Sequence, residues 1–137
     1  FISFLVVLYP ISYKYFCETI KSAENLIIQK HIEITGNNHT NIVSIGKIVY
    51  FESFKHNIIF HLENNETIVG YGTLLEYIDK INSQSFVFIH KSYCINMKYI
   101  SSTTTNTVIL KNGISLPIGR SKKDNFFNEL QKYIRSY

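Results

Sequence analysis

Three short basic segments carry the side chains of this sequence that are best suited to chemistry. They span residues 55–57, 90–92 and 119–123, and each follows an apolar run. Lysine and arginine neutralise phosphates and release counterions, while asparagine, histidine and arginine also reach the edges of bases. If the three segments meet at one end of a β scaffold, they form a single nucleic-acid-binding surface. The candidate residues are Lys55, His56, Asn57, Lys91, Ser92, Arg120, Ser121, Lys122 and Lys123.

The second half of the chain is strongly unbalanced in charge. No aspartate or glutamate occurs between Asp79 and Asp124. The formal net charge of +4 understates this imbalance, because the acidic residues are gathered elsewhere. A surface with an unopposed positive field favours a polyanionic partner. The basic residues in this acid-free stretch are Lys80, Lys91, Lys98, Lys111, Arg120, Lys122 and Lys123.

The same residues do not predict an enzyme. His90 and Ser92 are two apart on a strand and share a face, but no nearby carboxylate is available to orient the imidazole for catalysis. The five histidines show neither HxxxH nor HxH spacing, and no glycine-rich phosphate loop is present. We therefore predict no catalytic residues, no metal site and no cofactor.

Beyond residue 41 the apolar pattern is mainly that of strands. Asn112-Gly113 is the strongest short hairpin signal in the chain. Thr73 and Glu76 form a capping box, which predicts a short helix ending near Ile81. The predicted fold class is therefore mainly β, with antiparallel sheets and a short internal helix. Strands are predicted over 47–54, 57–62, 67–71, 86–89, 98–101, 103–111 and 114–118.

A further helix is predicted at the C-terminal end of the chain. Ser121 is its expected N-cap, with Asp124 at the third helical position. The backbone N–H groups of the first turn would add donors for a phosphate near Ser121. Its predicted inner face consists of Phe126, Phe127, Leu130 and Ile134.

The first 41 residues are predicted to be organised separately. The first eight are apolar, but far fewer than the roughly 20 residues needed to span a bilayer. They are either the end of a longer membrane segment or, as we favour, a buried strand of a truncated domain. Ser12 is the expected N-cap of a helix that follows Pro10. The polar segment 31–41 is interpreted as a linker and as the domain boundary.

The two cysteines indicate a reducing compartment. Cys17 and Cys94 lie among apolar neighbours without metal-type spacing, which is typical of buried free thiols. A secretory signal pattern is not found at the N-terminus. The expected location is the cytoplasm.

The order of these motifs resembles the LytTR DNA-binding domain of bacterial response regulators, which include accessory gene regulators. The similarity covers about residues 42–135, and the most specific pieces are the His-Lys-Ser-Tyr-x-Ile-Asn run that begins at His90 and the Pro-Ile-x-Arg-Ser run that begins at Pro117. Four segments match in the family order: Ile48 to Ser53, Tyr71 to Glu76, Phe86 to Asn96 and Leu116 to Ser121.

The resemblance implies an elongated, mostly antiparallel β-sheet or sandwich whose loops enter successive major grooves. By position, His56, Lys91 and Arg120 match the family's DNA-contacting sites in the first, second and third loops. Arg120 is the best candidate for base reading, because its planar fork matches guanine O6 and N7. The family often has Arg where this chain has Phe88, and Arg or Asn where it has Lys91.

The resemblance also implies a place for the N-terminal segment. Residues 1–30 resemble the last strand and helix of a receiver domain, although Tyr9 stands where family receivers carry a lysine before Pro10. The predicted function is therefore the output domain of a two-component response regulator. It would bind promoter repeats with a second copy of itself, downstream of a sensor kinase. The alternatives are a membrane-tethered regulator of the same type and a β module that binds protein instead of DNA.

Overall fold

The computed structural model describes residues 30–136, which form ten strands and two α-helices. This confirms the prediction of a mainly β, antiparallel fold with an internal and a C-terminal helix. The predicted N-terminal helix and Cys17 lie outside the described residues. The elements are β1 (His31–Gly36), β2 (His39–Ser44), β3 (Ile48–Phe54), β4 (Asn57–Leu62), β5 (Thr67–Tyr71), α1 (Leu74–Ile81), β6 (Phe86–His90), β7 (Tyr93–Asn96), β8 (Ile100–Thr103), β9 (Thr107–Leu110), β10 (Ser115–Pro117) and α2 (Arg120–Arg135).

A five-stranded antiparallel sheet in the order β5-β4-β3-β7-β6 forms the centre of the domain. Alternation along β4 buries Ile58, Phe60 and Leu62 on one face, as the two-residue period of a strand requires. Phe60 stacks on Phe51 of β3 and meets Tyr77 of α1 edge-on, with ring centroids 5.0 and 4.8 Å apart. Helix α1 therefore covers this face of the sheet and completes the first hydrophobic core.

The capping box predicted for α1 is present. Thr73 Oγ1 accepts from the Glu76 backbone N–H at 3.2 Å, and Glu76 Oε2 accepts from the Thr73 backbone N–H at 3.3 Å. The two bonds satisfy backbone donors that the first turn of a helix otherwise leaves without partners.

Replacing Thr73 by alanine should lower the free energy of unfolding by about 1 kcal/mol, because the Glu76 N–H loses its acceptor. Urea denaturation followed by circular dichroism measures this difference. Thr73→Ser is the matched control, since it keeps the hydroxyl, and it should stay close to the unsubstituted chain. Equal losses in the two variants would contradict a capping role for the hydroxyl.

The segment predicted to be a linker, residues 31–41, instead forms most of the β1–β2 hairpin. Ile32 and Ile34 alternate with polar residues and are buried in the first core. A β-carbon on Gly70 of β5 would lie 2.6 Å from Ile34 Cγ2, so glycine permits β1 to pass this close to β5. The linker prediction is therefore wrong. The polar residues around Asn38 indicate a loop, but they form only the turn of the hairpin, and the short alternation of Ile32 and Ile34 is that of a buried strand.

A second hydrophobic core lies between the five-stranded sheet, the three-stranded sheet β10-β9-β8 and α2. The Asn112-Gly113 turn joins β9 to β10, and Gly113 has a φ of 90°.

Strand β7 was not predicted. It ends at the buried Asn96, whose Nδ2 donates to the Ile48 carbonyl at 3.0 Å. Within residues 30–136, no helix is long and apolar enough to cross a membrane.

Helix α2 begins one residue before its predicted cap. Gly119 is the N-cap and supplies no side-chain bond, so Ser121 lies inside the first turn. The start is fixed by backbone bonds, since the Gly119 N–H donates to the Ile89 carbonyl at 2.7 Å. The predicted inner face is correct for Phe126, Phe127 and Leu130, which all pack into the second core, but Ile134 is 62% exposed. Tyr133 packs towards the second core in its place.

Candidate nucleic-acid interface

Backbone hydrogen bonds bring the three basic segments together. The Ser53 N–H, at the end of β3, donates to the carbonyl of Ser92 in the second segment at 3.0 Å. The Gly119 N–H, in the third segment, donates to the Ile89 carbonyl at the end of β6. These bonds tie the β3–β4 turn to the β6–β7 turn, and the β6–β7 turn to the N-terminus of α2. The structure thus places all three segments at one end of the central sheet.

The first segment is a two-residue hairpin turn with an unusual backbone. Phe54 pairs with Asn57, which leaves Lys55 and His56 as the turn residues. Both have positive φ, 48° for Lys55 and 68° for His56. A turn with both central residues in this region matches the twist of a hairpin but favours Asn-Gly. The two exposed side chains therefore occupy positions that backbone preference alone would give to other residues.

The second segment is held by a bulge and by an imidazole. Phe88 pairs with Cys94 and His90 pairs with Tyr93, so Ile89 is the extra residue in β6 and turns into the core. His90 Nδ1 accepts from the Ser92 backbone N–H at 3.1 Å. A bulge re-aims the residues that follow it. Here it leaves Lys91 exposed at the tip of the turn and Ser92 half-buried.

The third segment concentrates positive charge at the positive end of a helix. Arg120, Ser121 and Lys122 occupy the first turn of α2, which contains no acidic residue. Cations are unfavourable at this end, because the aligned peptide dipoles place partial positive charge there. Lys123 follows, with its Nζ 3.5 Å from Asn106 Oδ1. A bound anion would relieve the repulsion and could accept from backbone N–H groups at the start of the helix.

Among the described residues, no acidic side chain forms an ion pair with the basic side chains of this surface. Within residues 30–136 the ion pairs are His61–Glu52, at 2.8 Å, and Lys132–Glu129, at 3.4 Å. Neither pair involves any of the three segments. Of the candidates, Lys55, His56, Lys91, Arg120 and Ser121 are exposed, while Asn57, Ser92, Lys122 and Lys123 are half-buried.

His61 of β4 and Tyr50 of β3 form a cross-strand pair in the central sheet. Their rings stack with centroids 4.1 Å apart, and His61 Nε2 lies 2.8 Å from Glu52 Oε1. Burial, with the charge of Glu52 nearby, raises the pKa of Tyr50 to about 12, so its hydroxyl stays protonated at neutral pH. These contacts give His61 a structural role. Cys94 is confirmed as a buried free thiol, and burial raises its pKa.

Sequence reasoning missed a group of residues that border the basic surface. Thr73 and Leu75, at the N-terminus of α1, line one cleft with His56, Lys91 and Phe88. Lys122 Nζ lies 5.4 Å from the centre of the Phe88 ring in the same cleft. The only signal in the sequence was the capping box, which places the start of α1 but does not reveal what lies beside it.

Comparison with known proteins gives a consistent result. The family model described as the LytTr DNA-binding domain matches residues 38–131. Among solved structures, the chain is similar to the LytTr DNA-binding domain of a protein described as a methyl-accepting/DNA response regulator from Bacillus cereus. The TM-score is 0.64 at 20% identity, and the alignment covers 74% of this chain and 97% of that one. No match was found among curated proteins.

Proposed function

This chain belongs to the LytTR family of DNA-binding domains, and we propose that it is a sequence-specific transcriptional regulator whose three basic segments contact double-stranded DNA. The observation that carries the proposal is the convergence of these segments at one end of the sheet, held by the Ser53–Ser92 and Gly119–Ile89 backbone bonds. Their charges have no ion-pair partners among the described residues. An uncompensated cationic surface of this kind is suited to phosphates.

The residues divide into two roles in this proposal. Arg120 reads a base, because its guanidinium can donate two hydrogen bonds to guanine O6 and N7. His56 and Lys91 make the corresponding contacts from the first and second segments. The remaining candidates, Lys55, Asn57, Ser92, Ser121, Lys122 and Lys123, hold the phosphate backbone and set the register of the domain on the duplex.

The wider setting of the domain is also proposed from the family. The segments enter successive major grooves, and two copies of the chain bind repeated promoter sites in the cytoplasm. Residues 1–30 are the end of a receiver domain, so that the chain is the output part of a response regulator controlled by a sensor kinase. Because β1 begins at His31, the DNA-binding unit starts earlier than residue 42, and the boundary with the receiver part falls close to residue 30.

Selection of bound duplexes from a randomised pool tests the proposal. We expect one enriched motif, bound far more tightly than random DNA. A pool with no enriched motif would reduce the chain to a nonspecific polyanion binder. Absence of binding at low salt would contradict the proposal and favour a β module that binds protein.

Salt dependence tests the part of the proposal that concerns phosphates. If the basic side chains of the three segments, four lysines and Arg120, all act at the DNA, affinity should fall about 10²- to 10³-fold between 50 and 200 mM salt. Fluorescence anisotropy with the selected duplex measures this slope. Lys111→Ala is a suitable control, because this exposed lysine lies in the β9–β10 turn and should leave the slope unchanged. A flat salt response would contradict phosphate binding.

A further inference from the structure

A cleft of about 530 Å³ opens beside the basic surface, between the β3–β4 turn, the start of α1 and the N-terminal turn of α2. Its basic lining groups are His56, Lys91 and Lys122. Its apolar lining groups are Leu74, Leu75 and Phe88. The cleft therefore combines basic side chains from all three basic segments with an apolar wall.

The apolar wall is not explained by phosphate binding. Leu75 is 66% exposed although it adjoins the buried Leu74, and Phe88 is half-buried with Lys122 Nζ over its ring at 5.4 Å. Phosphate oxygens would satisfy the lysines but leave these apolar atoms in contact with water. A partner that uses the whole cleft must therefore offer apolar surface as well as negative charge.

The electrostatics of the cleft favour negative charge close to an apolar group. Among the described residues, no aspartate or glutamate lines it. The carboxylate of Glu76, the neighbour of Leu75 in sequence, is held by the Thr73 backbone N–H in the capping box. The two lysines can therefore pair with an incoming anion. An uncharged apolar molecule would make only the contacts with the apolar wall.

We propose that this cleft binds a small amphipathic anion, with its acidic group at Lys91 and Lys122 and its apolar body against Leu75 and Phe88. Because the same lysines belong to the DNA surface of the proposed function, such a ligand and DNA exclude each other. By linkage, each lowers the affinity of the other by the same factor. The cleft is then a site through which a small amphipathic acid releases the regulator from DNA.

Two fluorescent probes with the same aromatic skeleton test, on the full chain, whether binding requires a negative charge. 8-Anilino-1-naphthalenesulfonate carries an anionic group that N-phenyl-1-naphthylamine lacks. We expect the sulfonate to bind about tenfold more tightly or better, as the loss of one charge-assisted contact implies. Equal binding of the two probes would overturn the proposal in favour of a purely apolar docking surface, and failure of both to bind would overturn it outright.

A matched pair of variants tests the location. Leu75→Gln keeps the size of the side chain but removes the apolar wall, and it should weaken sulfonate binding about fivefold or more. Ile134→Gln makes the same change on α2, at a similarly exposed residue away from the cleft. It should change binding less than about twofold. Equal effects of the two substitutions would place the probe elsewhere and overturn the proposal.

Competition separates the ligand site from the DNA site. Adding the selected duplex should displace the sulfonate, and adding the sulfonate should raise the apparent Kd for DNA. Probe binding that depends on Leu75 in a chain without DNA affinity would uphold the ligand site and contradict the proposed function. Simultaneous binding of the probe and DNA would overturn the proposed exclusion.

Discussion

Replacing Arg120 by alanine should weaken binding to the selected duplex by about 1–3 kcal/mol and relax the base preference at one position of the site. Arg120 is exposed in the first turn of α2. That turn is fixed to the sheet by the Gly119–Ile89 bond of 2.7 Å. A guanidinium carried by a fixed backbone can discriminate between bases, because its two donors must meet two acceptors at once. Affinity measurements over all four bases at each position of the site give this result directly.

Two further substitutions separate charge from geometry at this turn. Arg120→Lys keeps the positive charge but loses the planar fork, so affinity for random DNA should be largely retained while the base preference is lost. Lys122→Ala should weaken all sequences about equally and reduce the salt slope by about one. If Arg120→Ala and Lys122→Ala weakened every duplex alike, Arg120 would be only a phosphate contact.

The sequence predicted the parts of the fold that depend on local signals. The capping box at Thr73 and the Asn112-Gly113 turn each determine their conformation within a few residues, and both are present. The strand over 57–62 was also predicted with its observed bounds, because its alternation is regular. Local chemistry was sufficient in these places.

Elements fixed by distant contacts were not predicted. The β1–β2 hairpin depends on the packing of Ile34 against β5 at Gly70, about thirty-five residues away in sequence. The start of α2 depends on the Ile89 carbonyl, which holds Gly119 by a backbone bond that leaves no trace in residue type. Ser121 has the right chemistry for a cap but the wrong position, since the chain is already helical at Arg120.

The candidate site was accessible from sequence for its charge but not for its surroundings. The acid-free stretch and the three basic segments identified the cationic surface, because the charge of a segment can be counted from its residues without knowledge of the fold. The cleft beside it is formed by α1, whose exposed Leu75 looks like an ordinary helix residue in the sequence. Only the folded sheet shows that Leu75 and Phe88 face the same space as Lys91.

The first basic segment offers a prediction in which stability and DNA binding change in opposite directions. The double substitution Lys55→Asn with His56→Gly places the preferred hairpin dipeptide at two positions with φ of 48° and 68°. We expect it to raise the free energy of unfolding by about 1–2 kcal/mol, because the strain of two bulky residues in the left-handed region is removed. Urea denaturation of both chains measures the gain.

The same double variant should lose DNA affinity by about tenfold or more at moderate salt, since under the proposed function it removes one phosphate-neutralising charge and one base-contacting imidazole. His56→Gly alone is the control, because it keeps Lys55 and should show part of the stability gain with a smaller loss of affinity. A stabilised variant with unchanged affinity would remove the first segment from the DNA interface. A destabilised variant would show instead that the turn is not strained. The expected result, a more stable chain that binds less well, would mean that Lys55 and His56 occupy this turn for their contacts with DNA and at the expense of the fold.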